Sequence, residues 1–149
     1  MKKIGIIGSR RRDTKADLNL CREIFLSIYE DGDIIVSGGC KKGGDKFAEI
    51  IAEELGLTVE NKKLILHLPD KSKLDPDKME RNPKWAYAEI NFARNGLIAD
   101  DSDVIVAVVA EDRKGGTEDT IKKFLKRKSE EDLILVPQVP ENEDSWMEM

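Results

Sequence analysis

The amino-acid sequence predicts a three-layer α/β/α fold with a central, mostly parallel sheet of about five strands. Short apolar runs alternate along the chain with longer amphipathic segments, which is typical of successive βα units. Glycine-rich turns follow three of the predicted strands and directly precede predicted helices, as in parallel sheets that bind ligands. The 149 residues suffice for one domain with a single buried core.

The first predicted unit is a strand over residues 3–7 followed by a helix over residues 15–29. The apolar run of the strand is short and broken by glycines, which indicates a buried strand and not a signal peptide. Asp13 or Thr14 can cap the helix. Apolar residues then recur on one helical face, namely Leu18, Cys21, Ile24, Phe25 and Ile28.

The second predicted unit is a strand over residues 33–36 and a helix over residues 45–55. The strand is a short apolar run that ends in Ser37-Gly38-Gly39, and Gly56 ends the helix. The predicted inward face of this helix consists of Phe47, Ala48, Ile51, Ala52 and Leu55.

The third predicted unit joins a strand over residues 63–68 to a helix over residues 85–99. Residues 69–84 between them are polar and interrupted by prolines, which is typical of a long irregular loop that serves as a lid or binding loop. The core candidates on the helix are Trp85, Ala88, Phe92 and Ile98.

The last part of the domain contains its most hydrophobic run. Residues 103–109 predict a central strand that is buried on both faces. A helix over residues 117–128 and a strand over residues 132–136 complete a domain that spans residues 1–136. Residues 137–149 are rich in acidic side chains and predict a tail, either frayed or docked through Trp146.

The composition limits the classes of function. The net charge of -5 argues against an extended nucleic-acid surface. No apolar run approaches the roughly 20 residues of a membrane span. Cys21, Cys40 and His67 do not have the number or spacing of a zinc site, so we predict no metal and no required cofactor. Reduced thiols of this kind indicate a cytoplasmic protein.

Three glycine-rich turns, at residues 8–10, 37–45 and 115–117, carry the functional prediction. Turns of this type share the carboxyl edge of a parallel sheet. Glycine lets the backbone approach a ligand there, and helix N-termini attract anions. Since Arg10-Arg11-Arg12 directly follows the first glycine, this edge predicts a phosphate site, where Arg11 and Arg12 either contact phosphate or are solvated. Neither the Walker pattern nor the G-x-G-x-x-G fingerprint is present.

Several motifs in the chain follow the order of a known superfamily. The block from Ser37-Gly38-Gly39-Cys40 to Gly43-Gly44-Asp45 and Ala48 is close to the pattern S-G-G-A-x-x-G-x-D-x-x-A. Arg94-Asn95, Ser102-Asp103 and Gly116-Thr117 are similar to an R-N/K, A-D and G-T series. On these motifs the chain resembles the SLOG superfamily. That superfamily joins the Lonely-Guy-type phosphoribohydrolases, often labelled lysine decarboxylase-like, with DprA/Smf-like and YpsA-like proteins.

This resemblance implies a Rossmann-like fold that binds a nucleotide or an ADP-ribose-like ligand. It places phosphate or ribose on the glycine turns, Asp45 near the ribose and Arg94 beside the glycosidic bond. The predicted ligand-binding residues are Gly8, Ser9, Arg10, Ser37, Gly38, Gly39, Gly43, Asp45, Arg94, Asn95, Gly115, Gly116 and Thr117.

The match is incomplete where the hydrolases carry a catalytic glutamate. Their pattern P-G-G-x-G-T-x-x-E places it three residues after the threonine, and this chain has Thr120 there. Glu118 and Asp119 are displaced around the helix and also suit the first turn of its dipole. The leading hypothesis is therefore nucleotide binding. The alternative is a phosphoribohydrolase with Arg94 and Glu118 as catalytic residues, and the third is single-stranded DNA binding as in DprA.

The same resemblance implies a homodimer or a higher homo-oligomer. The helix that carries Trp85, Tyr87 and Phe92 is the expected interface. Trp85 and Tyr87 can alternatively stack on a base. His67, at the end of a predicted strand, is expected to have a structural role.

Overall fold

A computed structural model describes residues 1–39 and 43–139, and its centre is a five-stranded sheet. All neighbouring strands are parallel, and their order is β3-β2-β1-β4-β5. The predicted fold class is therefore confirmed. The strands are β1 (Lys3–Gly8), β2 (Ile34–Ser37), β3 (Leu64–Leu66), β4 (Val104–Val108) and β5 (Leu133–Leu135).

Helices cover both faces of this sheet. One hydrophobic core contains Phe25 and Phe47 with Ile6, and a second contains Ile98 and Phe124. Each strand therefore contributes alternate side chains to two separate cores, which is why the strand sequences are apolar throughout. The helices are α1 (Lys15–Ile28), α2 (Gly44–Glu54), α3 (Pro76–Arg81), α4 (Pro83–Asp101) and α5 (Gly116–Leu125).

The segment of residues 69–84 differs from its prediction as an irregular loop. It contains a 3-10 helix at Lys71–Lys73, the helix α3 and the start of α4. The side chain of Asp75 caps α3 by accepting from the amides of Asp77 and Lys78. Pro76 and Pro83 stand at the first positions of α3 and α4, where proline costs no hydrogen bond. The prediction was wrong because these prolines begin helices.

The exposed residues of α4 are a second departure. Trp85 and Phe92 are 62% and 48% exposed, and Ala88 is half-buried, so only Ile98 of the predicted core set is fully buried. Helix α4 buries Ala86 and Ile90 at the same level, and Trp85 and Phe92 lie on a different face of the helix. Leu55 at the end of α2 is likewise exposed, against the prediction.

Arg12 is neither solvated nor placed for phosphate contact. Its guanidinium is buried and pairs with Asp17 of α1, with Nε 2.9 Å from Oδ1. The same group donates to the carbonyl oxygens of Val136 at 2.8 Å and Pro137 at 2.7 Å, and to that of Val109. One arginine therefore joins α1 to the chain segments that follow β4 and β5.

His67 follows β3 and pairs with the end of α4. Its Nε2 lies 2.8 Å from Oδ2 of Asp101, the last residue of α4.

Across the described ranges no helix is long and apolar enough to cross a membrane. The cysteine at position 40, Trp146 and most of the predicted tail lie outside the described residues.

We predict that Arg12→Ala lowers the free energy of unfolding by about 3–5 kcal/mol, because it leaves Asp17 buried without its partner. Urea unfolding followed by circular dichroism measures the change. Arg11→Ala is the matched control, since Arg11 and its partner Asp112 are both exposed and the loss of such a pair changes stability little. Equal losses in the two variants would contradict the role of Arg12.

A pH dependence follows from Asp33, a buried carboxylate before β2. Burial opposes its ionisation, but hydrogen bonds from Lys2 and from the amide of Glu30 outweigh that effect and hold its pKa below the ordinary value. Its stabilising contribution is complete above about pH 3.8 and disappears as the pH falls through the lowered pKa. Below about pH 3.8 the free energy of unfolding should fall more steeply in the wild type than in Asp33→Asn. Parallel slopes in urea titrations at several pH values would contradict this.

Candidate functional site

The parallel sheet brings the first and third glycine turns together at its carboxyl edge. Strand β1 ends opposite Val108 of β4, and the amide of Ser9 donates to the carbonyl of Val108 at 2.9 Å. A cleft of about 370 Å³ opens between these turns and α4. It is lined by Ile7, Gly8, Ser9, Arg10, Arg11, Ala88, Asn91, Phe92, Arg94, Asn95, Ile98, Lys114, Gly115, Gly116, Thr117 and Thr120.

The charged side chains among the described lining residues are all basic. Four basic residues line the cleft, and none of the described residues in its wall is an aspartate or glutamate. Arg11 is paired with Asp112, whose Oδ1 lies 2.7 Å from the guanidinium, and this contact lowers the pKa of Asp112 to about 2. The exposed side chains of Arg10 and Lys114 have no ion pair with any described residue. An anion therefore meets uncompensated positive charge.

The start of α5 adds a helix terminus to the cleft wall. Gly115, Gly116 and Thr117 all line the cleft, and no side chain caps this end of the helix. The first amides of a helix have no intrahelical acceptor and carry the positive end of its dipole. Gly115 has φ of 120°, a conformation that favours glycine, although a Cβ there would meet no atom within 4 Å. The open space beside the backbone is therefore available to a ligand.

Arg94 and Asn95 join α4 to both neighbouring turns. The guanidinium of Arg94 donates to the carbonyl of Gly38 at 2.6 Å and, through Nε, to Oδ1 of Asn95 at 3.1 Å. The amide of Asn95 donates to Asp119 at 3.1 Å and to the carbonyl of Gly116 at 3.4 Å. Asn95 was predicted as a ligand contact, but its polar atoms are engaged in holding Arg94 and the start of α5.

The second glycine turn was predicted to bind ligand, but its described residues Ser37, Gly38, Gly39 and Gly43 are not among the lining residues. Ser37 is buried and its hydroxyl accepts from the amide of Gly39 at 3.1 Å. A Cβ at Gly38 would lie 2.7 Å from Nη1 of Arg94, and one at Gly43 would collide with the carbonyl of Ser9. These glycines permit close packing against Arg94 and the first turn. The side chain of Asp45 lies outside the described part of the structure.

Carboxylates near the start of α5 are directed to other partners. Glu118 pairs with Arg113, with Oε2 2.7 Å from Nε, and does not line the cleft. Asp119 pairs with Lys123 and accepts from Asn95. Thr120 is buried in the cleft wall at the position where the SLOG hydrolases carry their glutamate. The residues predicted as catalytic are therefore not brought together, since Arg94 lines the cleft and Glu118 does not.

Asn91 and Lys114 are among the lining residues that are absent from the predicted set. Lys114 directly precedes the Gly115-Gly116 pair, and this adjacency is a signal that the sequence contains. Asn91 lies one helical turn before Arg94 and Asn95, so helical periodicity also places it on their face. Among residues 1–39 and 43–139, no group of three or more metal-ligating side chains is arranged to hold an ion.

Fold and site together define a Rossmann-like α/β protein with a basic cleft at the carboxyl edge of its sheet. The chain is similar in structure to DNA processing protein A from Helicobacter pylori, a single-stranded DNA binding protein. The TM-score is 0.58 and the identity 22%, over 99% of this chain and 72% of that one. It is also similar to the protein TM1055, with a TM-score of 0.54 and 20% identity over 83% of this chain and 68% of that one.

These likenesses show the fold, and it is the one that the resemblance to the SLOG superfamily implies. No family model matches the chain, and no curated protein is significantly similar to it in sequence. The motifs and the solved structures therefore agree on the architecture.

We predict that Gly43→Ala weakens binding of inorganic phosphate and destabilises the protein, because the new Cβ displaces the Ser9 backbone. Gly56→Ala is the matched control, since Gly56 has φ of 71° against 68° at Gly43 but no neighbour within 4 Å. The control should lose only about 1–2 kcal/mol of stability, which is the cost of a left-handed backbone at a residue other than glycine, and it should retain phosphate binding. Isothermal titration calorimetry and urea unfolding provide the two measurements. Unchanged phosphate affinity in Gly43→Ala would contradict the supporting role of this turn.

Proposed function

We propose that this protein binds a phosphorylated small molecule, a nucleotide or an ADP-ribose-like ligand, without cleaving its glycosidic bond. One observation carries the proposal: four basic side chains line the cleft, and no described carboxylate does. In a chain of net charge -5 this is a local concentration of positive charge. A pocket of this kind attracts anions and concentrates them at its mouth.

Phosphate is the anion that the groups in the cleft suit best. The start of α5 supplies backbone amides, Ser9 a hydroxyl, and Arg10 and Lys114 unpaired cations. The cavity of about 370 Å³ lies in the range typical of small-molecule sites. These features favour a ligand that joins a phosphate to a larger organic group.

Binding is favoured over hydrolysis because the cleft has no positioned acid among its described residues. Cleavage of an N-glycosidic bond requires a carboxylate near the reacting carbon to assist the leaving base or stabilise the cationic sugar. The alternative phosphoribohydrolase, with Arg94 and Glu118, requires Glu118 to leave Arg113 and enter the cleft. Thr120 in the wall cannot replace it, since a hydroxyl does not stabilise a cation as a carboxylate does.

The likeness to DNA processing protein A favours single-stranded DNA as a second candidate ligand. Single-stranded nucleic acids bind where cations and exposed aromatic rings alternate, and Trp85, Tyr87 and Phe92 are exposed on α4. The net charge of -5 opposes this candidate. Fluorescence anisotropy with a labelled oligodeoxythymidine distinguishes the two, because a strand site binds the oligonucleotide much more tightly than a mononucleotide and a nucleotide site does not.

Assembly and location remain predictions, the first from the resemblance to the SLOG superfamily and the second from the reduced thiols. We expect a cytoplasmic homodimer or a higher homo-oligomer, with α4, which carries the exposed Trp85, Tyr87 and Phe92, as its interface. Apolar side chains of this size on one exposed helix are typical of interaction surfaces. Native mass spectrometry of the purified protein measures the assembly directly.

We predict that the double substitution Arg10→Ala and Lys114→Ala weakens binding of AMP and ADP-ribose by roughly ten- to hundredfold, as expected for charge-assisted hydrogen bonds. Lys122→Ala with Lys126→Ala is the matched control, because these exposed residues remove the same charge from the far end of α5. Calorimetry measures the affinities, and chromatography of the same samples detects released base. Equal affinities in the two double variants would contradict the site, and release of free base would establish the hydrolase instead.

A further inference from the structure

The cleft has two chemically different ends. The side-chain amide of Asn95 donates to the carbonyl of Gly116, the first residue of α5. Asn95 therefore marks the position along α4 that lies beside the start of α5. Asn91 and Ala88 lie one and two turns nearer the start of α4, at about 6 and 10 Å along the axis. Both line the cleft, together with Phe92. The basic end is therefore extended by a wall of α4 that carries no charge.

The ring of Phe92 is held in place and remains accessible. The ammonium of Lys123 lies over the ring, 5.7 Å from its centroid, and also donates to the Phe92 carbonyl. Lys123 is in turn paired with Asp119 at 2.8 Å. Phe92 nevertheless keeps 48% of its residue surface exposed and lines the cleft. An aromatic face that is exposed beside a phosphate site offers a stacking surface to a base.

Asn91 supplies an unused pair of hydrogen-bonding groups. It is half-buried in the cleft wall, and its side chain makes no hydrogen bond with any residue of the described ranges. Half-buried amides normally find partners in the protein or in a ligand. A carboxamide presents an acceptor beside a donor, which matches the edge of a nucleobase.

We infer that Phe92 and Asn91 form the base subsite of the cleft, where Phe92 stacks on a purine and Asn91 hydrogen-bonds its edge. This inference rests on the proposed function, because the phosphate of the same nucleotide occupies the start of α5. The separation along α4 suits a nucleoside monophosphate, whose base lies several ångströms beyond its phosphate. Purines are favoured over pyrimidines because their larger ring covers more of the aromatic face.

The test compares ligands with and without a base on the full-length protein. Calorimetry with AMP, GMP, CMP and ribose 5-phosphate separates the contribution of the base from that of the sugar phosphate. In the wild type we expect both purine nucleotides to bind more tightly than CMP and ribose 5-phosphate. Phe92→Leu should weaken AMP binding by about tenfold or more and leave ribose 5-phosphate unchanged.

Asn91 is tested by exchange of its hydrogen-bonding pattern. Asn91→Leu should reduce the preference for AMP over ribose 5-phosphate. Asn91→Asp should shift the preference towards GMP, because a carboxylate accepts from the two neighbouring N–H groups of guanine. Leu26→Ala and Val59→Ala are the matched controls, since both residues are about as exposed as Phe92 but lie outside α4 and outside the cleft lining. These controls should leave every affinity unchanged.

The outcomes separate the two proposals. If the wild type binds ribose 5-phosphate and AMP equally, or if Phe92→Leu and Asn91→Leu change both affinities alike, the base subsite is overturned and phosphate binding stands. If neither ligand binds, the proposed function fails together with this inference. Urea unfolding of each variant ensures that a lost affinity is not a lost fold.

Discussion

The parallel pairing of β1 with β4 runs from Ile4 opposite Val104 to Gly8 opposite Val108, so the two strands end at the same level. A parallel pair requires a crossover, and the turns after both strands therefore meet at one edge. Helix α4 leads into β4 at the opposite, amino edge, and its earlier residues, from Ala88 to Ile98, lie beside both turns. The cleft is a consequence of this pairing, and its groups come from three separate parts of the chain.

Electrostatics then distinguish this edge from the rest of an acidic protein. Neighbouring basic residues differ in their partners. Arg11 is paired with Asp112, and Arg113 is paired with Glu118. Arg10 and Lys114 have no such partner among the described residues. The two ion pairs hold the rim of the cleft in place. The unpaired cations leave a net positive charge for a ligand to neutralise. Geometry and charge therefore support the proposed binding of a phosphate ester, at a cleft whose described residues include no acid for its cleavage.

Local sequence patterns predicted most of the fold and part of the site. Each helix and strand of the predicted βα units is present, since apolar periodicity and capping residues such as Thr14 act within a few residues of the chain. The glycine turns at Gly8 and Gly116 also line one cleft as expected, because parallel strands leave them no other edge. The prolines at 76 and 83 were misinterpreted, although they too are local signals for helix starts.

Long-range contacts decided what the sequence pattern left open. Arg11 and Arg12 are adjacent and chemically identical, yet Arg12 is buried because carbonyls 97 and 124 residues away accept its hydrogen bonds. Phe92 was predicted as a core residue, but it is exposed because it lies about 200° around α4 from the buried Ile90. Local sequence patterns were enough to predict the order of the elements and the edge of the sheet where the cleft lies. Which side chains line that cleft depends on tertiary packing, because contacts between distant segments set the exposure of each side chain.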